Sequence, residues 1–397
     1  MGLYQLTGPV LSVSLSLCAA GYQTAISKLV AEKAATERKP SLQPMWIGFS
    51  IAMPLSLLCN FIIYFYADFI AINLLHESRT VSMLRILSFS VPLSTVHSCV
   101  NGYFYGRKKA GVPAASQIIE QLTRVGCVFI LSSNYLKSGV TPSIGIAILG
   151  LTIGEFSSML FSVFAIIGCC RHTKPATVSL TGYRSLYYGI LSMALPLTAN
   201  RIVLNILQSI ESVSIPTKLH IFGYDTTTSL SVYGVLTGMA LPFIFFPNAI
   251  TSSVAILLLP IISENYAVKN LDAVKTATRK TIQYCAVMGL LCMVGFVFLG
   301  NWIGVFLFHS PLSGYFITTL GFICPFLYLD TTLSAILQGL GKVGQIFLMN
   351  IISLLIRLLF VLCLIPVYGI KAYLWGLLAS QLVLCILYIF CLHKNLK

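Results

Sequence analysis

The sequence predicts an all-α, polytopic membrane protein with about eleven transmembrane helices in two lobes. Three observations predict this fold class: the composition, the spacing of the apolar runs and an internal repeat. Of 397 residues, 57% are hydrophobic and only 9% are charged. Soluble domains are about 45–50% apolar and 25% charged. A chain of this composition therefore belongs in a membrane.

Eleven apolar runs are long enough to cross a bilayer, which takes about 20 residues in a helix. In chain order they cover residues 3–31, 45–73, 80–105, 112–136, 143–170, 186–217, 229–262, 278–308, 313–338, 343–366 and 370–392. Short polar segments join them. The sequence therefore predicts one membrane helix for each run.

An internal repeat relates two helix pairs. NGYFYGRKKAGVPAASQIIEQLTR (101–124) superimposes without a gap on SAILQGLGKVGQIFLMNIISLLIR (334–357) at a shift of 233 positions. The matched residues include Gly106 with Gly339, Lys109 with Lys342 and Arg124 with Arg357. We expect residues 84–131 and 317–364 to form equivalent hairpins.

The repeat is parallel, since both helix pairs have the same membrane orientation. It predicts two lobes related by a pseudo-two-fold axis along the membrane normal, as in secondary transporters. Runs three and four match runs nine and ten, which implies a six-helix unit. We expect an N-terminal lobe of five helices, 1–175, and a C-terminal lobe of six, 183–397. Residues 171–184, polar with one Pro and one Gly, are the expected linker. The first helix of twelve is expected to be missing.

Basic residues predict the orientation. The net charge is +14, but Lys and Arg lie in short gaps rather than on a soluble face, which excludes a nucleic-acid partner. Sixteen basic residues fall on one side of the membrane and four on the other. Because cytoplasmic loops carry the excess of Lys and Arg, we expect the Arg107 to Lys109 turn and the C-terminus in the cytoplasm of a plasma or inner membrane.

The sequence argues against an enzyme. The twelve Cys lie in or beside apolar runs without CxxC spacing, and the six His are scattered. The loops are short and hold no paired carboxylates or nucleophile with a positioned base. We expect no catalytic residue, no cofactor and no metal.

A polar stripe marks the sixth run. Its members recur every three or four residues on one helix face; they are Thr198, Arg201, Asn205, Gln208 and Ser212, with Glu211 at the edge. We interpret the stripe as the lining of a substrate cavity. The alternative is that Arg201 and Glu211 form an ion pair within the bundle. We add as cavity candidates Gln23 on the first run and Tyr233 and Thr237 on the seventh.

Other ionisable residues lie at membrane depth, where charge is costly. Glu120 and Arg124 have the i, i+4 spacing of a structural ion pair. Glu155, Asp330 and Glu211 are candidates for proton or cation coupling, and the alternative for Glu155 and Asp330 is a hydrogen-bonded acid in the core.

Prolines interrupt two of the runs. The first contains Pro9 with Gly8 and Gly21, and the seventh contains Pro242 and Pro247. Interior prolines free backbone carbonyls and kink a helix. We expect hinges at Pro9, Pro242 and Pro247, because paired interrupted helices in two halves are typical of transporter sites.

Several motifs resemble the stage V sporulation protein B group of polysaccharide transporters, within the multidrug/oligosaccharidyl-lipid/polysaccharide (MOP) flippase superfamily, a MATE-like fold. They are GLYQLTGP, AISKLVAEK, GYFYGRKKAGVPAASQIIEQLTRV, LPLTANRIVLNILQSIESVSIP, YGVLTGMALPFIFFPNAITSSVAILLLPIISE and ILQGLGK. The resemblance covers essentially the whole chain. In the family, GLYQL follows a complete first helix, whereas here it follows the initial Met.

The resemblance implies a flippase for a polyprenyl-diphosphate-linked saccharide in cell-wall or spore-cortex peptidoglycan synthesis, with membrane lipids and cell-wall synthesis enzymes as partners. Family lipid II flippases place essential arginines along the cavity. Arg201 is the leading candidate here, since guanidinium binds phosphate oxygens bidentately. Two alternatives are a drug/cation antiporter of the same superfamily and a structural membrane protein of spore envelope assembly.

Overall fold

The fold class is confirmed. The computed structural model describes residues 2–37, 42–137, 144–170, 180–268 and 270–396. Within these ranges every regular element is a helix and there is no strand. The expected linker lies largely outside the described residues, because residues 171–179 are not among them.

Eighteen α-helices follow one another along the described chain. The first nine are α1 (Gly2–Leu15), α2 (Gly21–Glu37), α3 (Gln43–Phe65), α4 (Ala67–Phe69), α5 (Val81–Ser88), α6 (Ser90–Gly106), α7 (Gly111–Lys137), α8 (Gly145–Cys170) and α9 (Leu180–Phe222). The others are α10 (Thr226–Val235), α11 (Leu241–Phe245), α12 (Asn248–Ala267), α13 (Leu271–Phe306), α14 (Pro311–Leu320), α15 (Cys324–Gly339), α16 (Val343–Leu359), α17 (Ile365–Tyr368) and α18 (Ile370–Leu396). π-helical turns at Ser16–Ala20, Leu236–Ala240 and Phe360–Leu364 join α1 to α2, α10 to α11 and α16 to α17, and a further π turn, Ile70–Leu74, follows α4.

Ten helical segments among the described residues are long and apolar enough to cross a membrane. The predicted run 112–136 is α7, which is not one of the ten although it has 27 residues. It carries Gln117, Glu120, Gln121 and Arg124, which make it less apolar than its neighbours. The expectation of about eleven spans is therefore close to what the structure contains.

The predicted run 229–262 is not one continuous helix. α11 ends at Phe245 and α12 begins at Asn248, on either side of Pro247. Proline has no N–H to donate to the preceding turn. The backbone crosses this point through i, i+3 hydrogen bonds, from Phe246 N to Phe243 O at 3.3 Å and from Ala249 N to Phe246 O at 3.2 Å.

Two compact units divide the chain. One comprises Leu6–Ser209, and the other comprises Ile210–Lys397 with Met1–Gln5. Each has its own apolar core. Ile26, Ile47, Tyr103 and Ile190 are buried in the first core, and in the second the buried residues include Ile262, Leu333, Ile336 and Tyr388. The boundary between the compact units falls within α9.

The repeated segments form the same turn in each unit. After α6, Lys108 N donates to Tyr105 O and Lys109 N to Phe104 O, both at 2.9 Å. After α15, Gly341 N donates to Gln338 O and Lys342 N to Leu337 O, again at 2.9 Å. The four residues bonded in the first turn correspond to the four bonded in the second at a shift of 233 positions. Lys108 and Gly341 both have positive φ, 58° and 75°, as the C-terminal cap of a helix commonly requires.

The repeat-related glycines allow an equivalent close approach of helices. A Cβ on Gly106 would lie 2.4 Å from Ser27 O of α2, and one on Gly339 would lie 2.9 Å from the Ile262 side chain of α12. Each unit therefore packs the helix before the turn against an earlier helix at the same glycine.

Candidate functional site

Arg201 is the charged residue of the polar stripe, and it is exposed. It lies near the middle of the apolar span Leu186–Phe222 and its side chain is exposed. It forms no hydrogen bond or ion pair with the residues that the structure describes. Gln208, two turns further along α9, is also exposed. In the part of the chain that the structure describes, neither side chain therefore has a hydrogen-bond or ion-pair partner.

Asn205 contacts the beginning of the same unit. Its Nδ2 donates to Ser12 O at 3.3 Å and to the Ser16 side chain, so it links α9 to α1 and to the π turn that follows. Thr198 is 8% exposed, and its hydroxyl has no partner among the described residues. Within the stripe, Asn205 therefore has hydrogen-bond partners, whereas the buried Thr198 hydroxyl has none among the described residues.

The remaining cavity candidates lie apart from one another along the chain. Gln23 is half-buried on α2, and Tyr233 is 3% exposed on α10. Thr237, in the π turn that follows α10, donates from Oγ1 to Tyr233 O at 2.7 Å. Ser212 and Glu211 lie near the Tyr233 hydroxyl. Tyr233 and Ser212 therefore share one neighbourhood within the unit that begins at Ile210.

Glu120 and Arg124 form an ion pair on α7. Arg124 Nη2 donates to Glu120 Oε1 at 2.5 Å, and the two side chains are 25% and 12% exposed. One helical turn separates them, as the i, i+4 spacing expects.

His97 lies close to Glu120 of this pair and to a second acid, Glu155. The sequence did not single out His97. Its Nε2 lies 2.8 Å from Glu155 Oε2, which also accepts a hydrogen bond from Ser94 Oγ at 2.5 Å. His97, Glu120 and Glu155 each offer one ligand atom within 4.8 Å of one another. They come from α6, α7 and α8. The available signal was the repeat, because a shift of 233 places His97 on Asp330.

Glu211 pairs with Arg357, not with the Arg201 that the alternative interpretation assigned to it. Arg357 Nε lies 2.6 Å from Glu211 Oε1, and the Tyr373 hydroxyl donates to the same oxygen at 2.9 Å. Glu211 is 4% exposed. This carboxylate is therefore held by α16 and α18 within its own unit.

Asp330 is a buried acid of the second unit. It lies on α15 and is 6% exposed, and neither carboxylate oxygen has a partner among the described residues. Its neighbours include Cys385 and Tyr388 of α18. A carboxylate in such a place is costly unless it is neutralised.

Two of the three candidate hinges lie at ends of regular helix, and the third, Pro9, lies inside a helix. Pro9 is inside α1, seven residues before the first residue of the π turn Ser16–Ala20. Pro242 is the second residue of α11, which directly follows the π turn Leu236–Ala240, and Pro247 lies between α11 and α12. π turns and prolines are the usual causes of helix kinks.

Two family matches agree with this architecture. Residues 1–266 match the polysaccharide biosynthesis protein family, and residues 202–363 match the MatE family. The chain belongs to the polysaccharide biosynthesis protein family, within the MOP flippase superfamily.

The similar proteins are membrane transporters and sporulation proteins. Stage V sporulation protein B of Bacillus subtilis (strain 168) is 27% identical, over 100% of this chain and 77% of that protein. The lipid II flippase MurJ of the same organism is 22% identical, over 87% of this chain and 67% of that protein.

Solved structures share the fold. An inward-facing multidrug resistance MATE family transporter of the MOP superfamily has a TM-score of 0.69 at 15% identity, covering 100% of this chain and 90% of that one. A MOP superfamily transporter from Pyrococcus furiosus has a TM-score of 0.68 at 16% identity, covering 100% and 87%. The chain is a multi-pass membrane transporter of the MOP superfamily, and its relatives are transporters and flippases rather than enzymes.

Proposed function

We propose that this protein is a flippase that moves a polyprenyl-diphosphate-linked saccharide across the plasma or inner membrane by alternating access. One observation supports the proposal most directly: Arg201 is exposed near the middle of an apolar span and has no partner among the described residues. An arginine at membrane depth costs at least about 2.5–3.5 kcal/mol, so an unpaired one indicates a functional contact. Its planar guanidinium can bind phosphate oxygens bidentately, so a diphosphate suits it.

The neighbouring polar residues suit the saccharide. Asn205, Gln208, Thr198 and Ser212 offer amide and hydroxyl groups along one face of α9, with Gln23, Tyr233 and Thr237 as further candidates. Sugars are recognised by such donors and acceptors, which must be buried with partners or left to a ligand. The unpartnered hydroxyl of Thr198 is consistent with this role.

The names of the relatives support the substrate class. One is a lipid II flippase and another is a stage V sporulation protein. In this proposal the saccharide is a peptidoglycan or polysaccharide precursor for the cell wall or spore cortex, and cell-wall synthesis enzymes are partners.

A drug/cation antiporter is the second candidate, and the buried acids favour it. Glu155 and Asp330 are the acids that we assign to coupling in either case. Glu211, the third coupling candidate, is already paired with Arg357. A flippase and an antiporter differ in cargo, so substrate dependence separates them. Loss of lipid-linked saccharide export with unchanged drug resistance supports the flippase.

The orientation belongs to the same proposal. With the basic turns in the cytoplasm, cysteines introduced at Lys108 and Lys342 react only with a reagent applied from that side. Cysteines at Lys218 and Lys371 react from outside, and the C-terminus is cytoplasmic. In this account Pro9, Pro242 and Pro247 are the points where the interrupted helices bend during transport.

The test is complementation of a strain that depends on this protein for envelope synthesis. Arg201→Lys keeps the charge and is expected to retain part of the activity, whereas Arg201→Gln is expected to retain almost none. Asn205→Leu and Gln208→Leu are expected to give intermediate losses. Lys218→Gln, on the same helix outside the stripe, is the control. Full activity of Arg201→Gln at normal abundance would exclude Arg201 from the substrate contact.

A further inference from the structure

A cavity of about 560 Å³ lies between α13 and α18, within the second unit. Both helices pack on α15, and the cavity is at the end of the unit where α13 begins and α18 finishes. The turn after α15 is at the same end, since its Lys342 lies near Cys391 of α18. The cavity lining contains none of the residues that we assign to the cargo. It is therefore a separate candidate site.

Basic side chains line one part of the cavity. Lys275 and Arg279 lie one turn apart on α13, and His393 lies in the last turn of α18. All three are exposed, and none forms a hydrogen bond or ion pair with the described residues. Asp272, the acid of α13, does not line the cavity. The positive charges of Lys275 and Arg279 thus share one cavity without a counter-charge from the described side chains.

Aromatic residues on α13 indicate the membrane depth of these charges. Tyr284 and Trp302 are 56% and 61% exposed, and the helix between them is about 27 Å long. The hydrocarbon core of a bilayer is about 30 Å thick, and Tyr and Trp are enriched at both of its surfaces. Lys275 and Arg279 lie beyond Tyr284, on the side away from Trp302. They therefore belong to the layer of lipid headgroups.

The rest of the lining is largely apolar and includes one unsatisfied hydroxyl. Ile282, Ile389 and Leu392 supply apolar surface. Thr278 also lines the cavity and is 6% exposed, and its Oγ1 has no hydrogen-bond partner among the described residues. A buried hydroxyl without a partner is costly unless a ligand or water supplies one. The cavity therefore suits a ligand that has both an anionic or polar head and an apolar part.

Further basic residues favour an anionic ligand over a zwitterionic one. Lys280 follows Arg279 on α13, and Lys342 and Lys394 lie near Cys391 of α18. Positive charge near a membrane surface attracts anionic lipids and falls off within a Debye length. This end of the second unit thus has a local excess of positive charge beside an open apolar surface.

We propose that this cavity binds the headgroup of an anionic phospholipid from the leaflet beside the C-terminus. The phosphodiester contacts Lys275 and Arg279, an oxygen of the glycerol ester accepts a hydrogen bond from Thr278, and the acyl chains leave along Ile282 and Ile389. Basic pockets between membrane helices bind such headgroups, and guanidinium binds phosphate oxygens bidentately. A lipid fits better than a free anion because apolar side chains border the charges. The site does not rest on the proposed flippase function.

The experiment is native mass spectrometry of the full-length protein titrated with phosphatidylglycerol, with phosphatidylcholine as the zwitterionic probe. We expect tighter binding of phosphatidylglycerol. The double variant Lys275→Gln/Arg279→Gln is expected to bind it at least about tenfold more weakly, since each basic residue near an anionic lipid contributes about fivefold. The matched control, Lys280→Gln/Lys371→Gln, also removes two exposed positive charges, but neither residue lines the cavity. We expect the control to bind like the wild type.

Thr278→Val tests the hydroxyl separately. Valine keeps the shape of the side chain but cannot donate a hydrogen bond. We expect the affinity for phosphatidylglycerol to fall about two- to tenfold, the usual contribution of one hydrogen bond. Unchanged affinity would exclude the hydroxyl from the lipid contact.

Three results would overturn the proposal. Phosphatidylglycerol binding by Lys275→Gln/Arg279→Gln that equals the wild type would exclude the cavity, and an equal loss in the control would assign the effect to overall charge. Displacement of phosphatidylglycerol by inorganic phosphate at fixed ionic strength would assign a free anion instead of a lipid. If the double variant does not accumulate, Arg279→Gln against Lys280→Gln makes the same comparison. Arg201→Gln is expected to leave phosphatidylglycerol binding unchanged, so failure of the flippase proposal is read separately.

Discussion

Arg124 and Arg357 occupy the same position of the repeat but obtain their counter-charge from different places. Arg124 pairs with Glu120, one turn earlier on its own helix. The matching position before Arg357 is Ser353, and Arg357 pairs instead with Glu211 of α9. The Arg357 side chain is also less exposed, 17% against 25%. The repeat therefore preserves a positive charge and its need for an acid, but not the source of the acid.

The turns of the two hairpins share their backbone hydrogen bonds, whereas the buried polar side chains of the hairpins have different partners. The turns after α6 and α15 have the same hydrogen bonds at a shift of 233. His97 and Asp330, by contrast, share a position but not a partner. Turn geometry depends on local backbone groups, whereas a buried polar side chain depends on whatever the neighbouring helices supply. The two units thus share the turn geometry but differ in the contacts of their buried polar side chains.

Removing the acid from the second unit is expected to have the largest effect. Glu211→Gln leaves Arg357 buried without a counter-charge and weakens the acceptor of the Tyr373 hydroxyl. Breaking a buried pair from one side costs about 3–5 kcal/mol. We expect a marked fall in the thermal stability of the purified protein and in its abundance in membranes.

A double variant isolates the charge effect. Glu211→Gln combined with Arg357→Met removes both charges, and we expect it to recover a large part of the lost stability. A single Glu211→Gln variant as stable as the wild type would contradict the ion pair, as would a double variant less stable than the single one.

The corresponding change in the first unit is expected to be milder. Glu120→Gln removes a charged hydrogen bond, worth roughly 1.5–3 kcal/mol, but Arg124 is a quarter exposed and Glu120 itself lies close to a second acid, Glu155. Thermal unfolding of Glu120→Gln beside Glu211→Gln measures the difference. Equal losses would mean that the source of the counter-charge does not matter.

The two turns offer the smallest expected effect. Gly341→Ala places a Cβ at φ 75° with open space around it, so the expected loss is the left-handed penalty of about 1–2 kcal/mol. Lys108→Gly removes that penalty at the matching position and is expected to stabilise by less than about 1 kcal/mol, because glycine costs chain entropy. Unfolding temperatures that change in the same direction in both variants would contradict the equivalence of the turns.

How much can be predicted from the sequence depends on how far apart in the chain the interacting residues lie. Apolar runs predict helices because membrane burial acts on every residue of a run. The prolines of these runs mark candidate breaks such as Pro247, but the runs do not show where π turns occur, since apolar composition carries no hydrogen-bond register. Glu120 and Arg124 lie four positions apart on one helix, so their spacing is enough to predict the pair.

Pairs between residues far apart in the chain cannot be predicted from local spacing. Glu211 and Arg357 stand on helices far apart in the chain, and nothing in the local spacing of either residue indicates the other. His97 was dismissed as an isolated histidine because Glu155 comes from another helix. Only the shift that aligns it with Asp330 marked the position as special.

The central claim is that Arg201 holds the diphosphate of a lipid-linked saccharide. Its most direct test is native mass spectrometry of the purified protein titrated with a polyprenyl-diphosphate-linked saccharide, with Lys218→Gln as the matched control. We expect the wild type and the control to bind equally, and Arg201→Gln to bind at least about tenfold more weakly, which corresponds to about 1.4 kcal/mol. Equal binding by Arg201→Gln and the wild type would contradict the account.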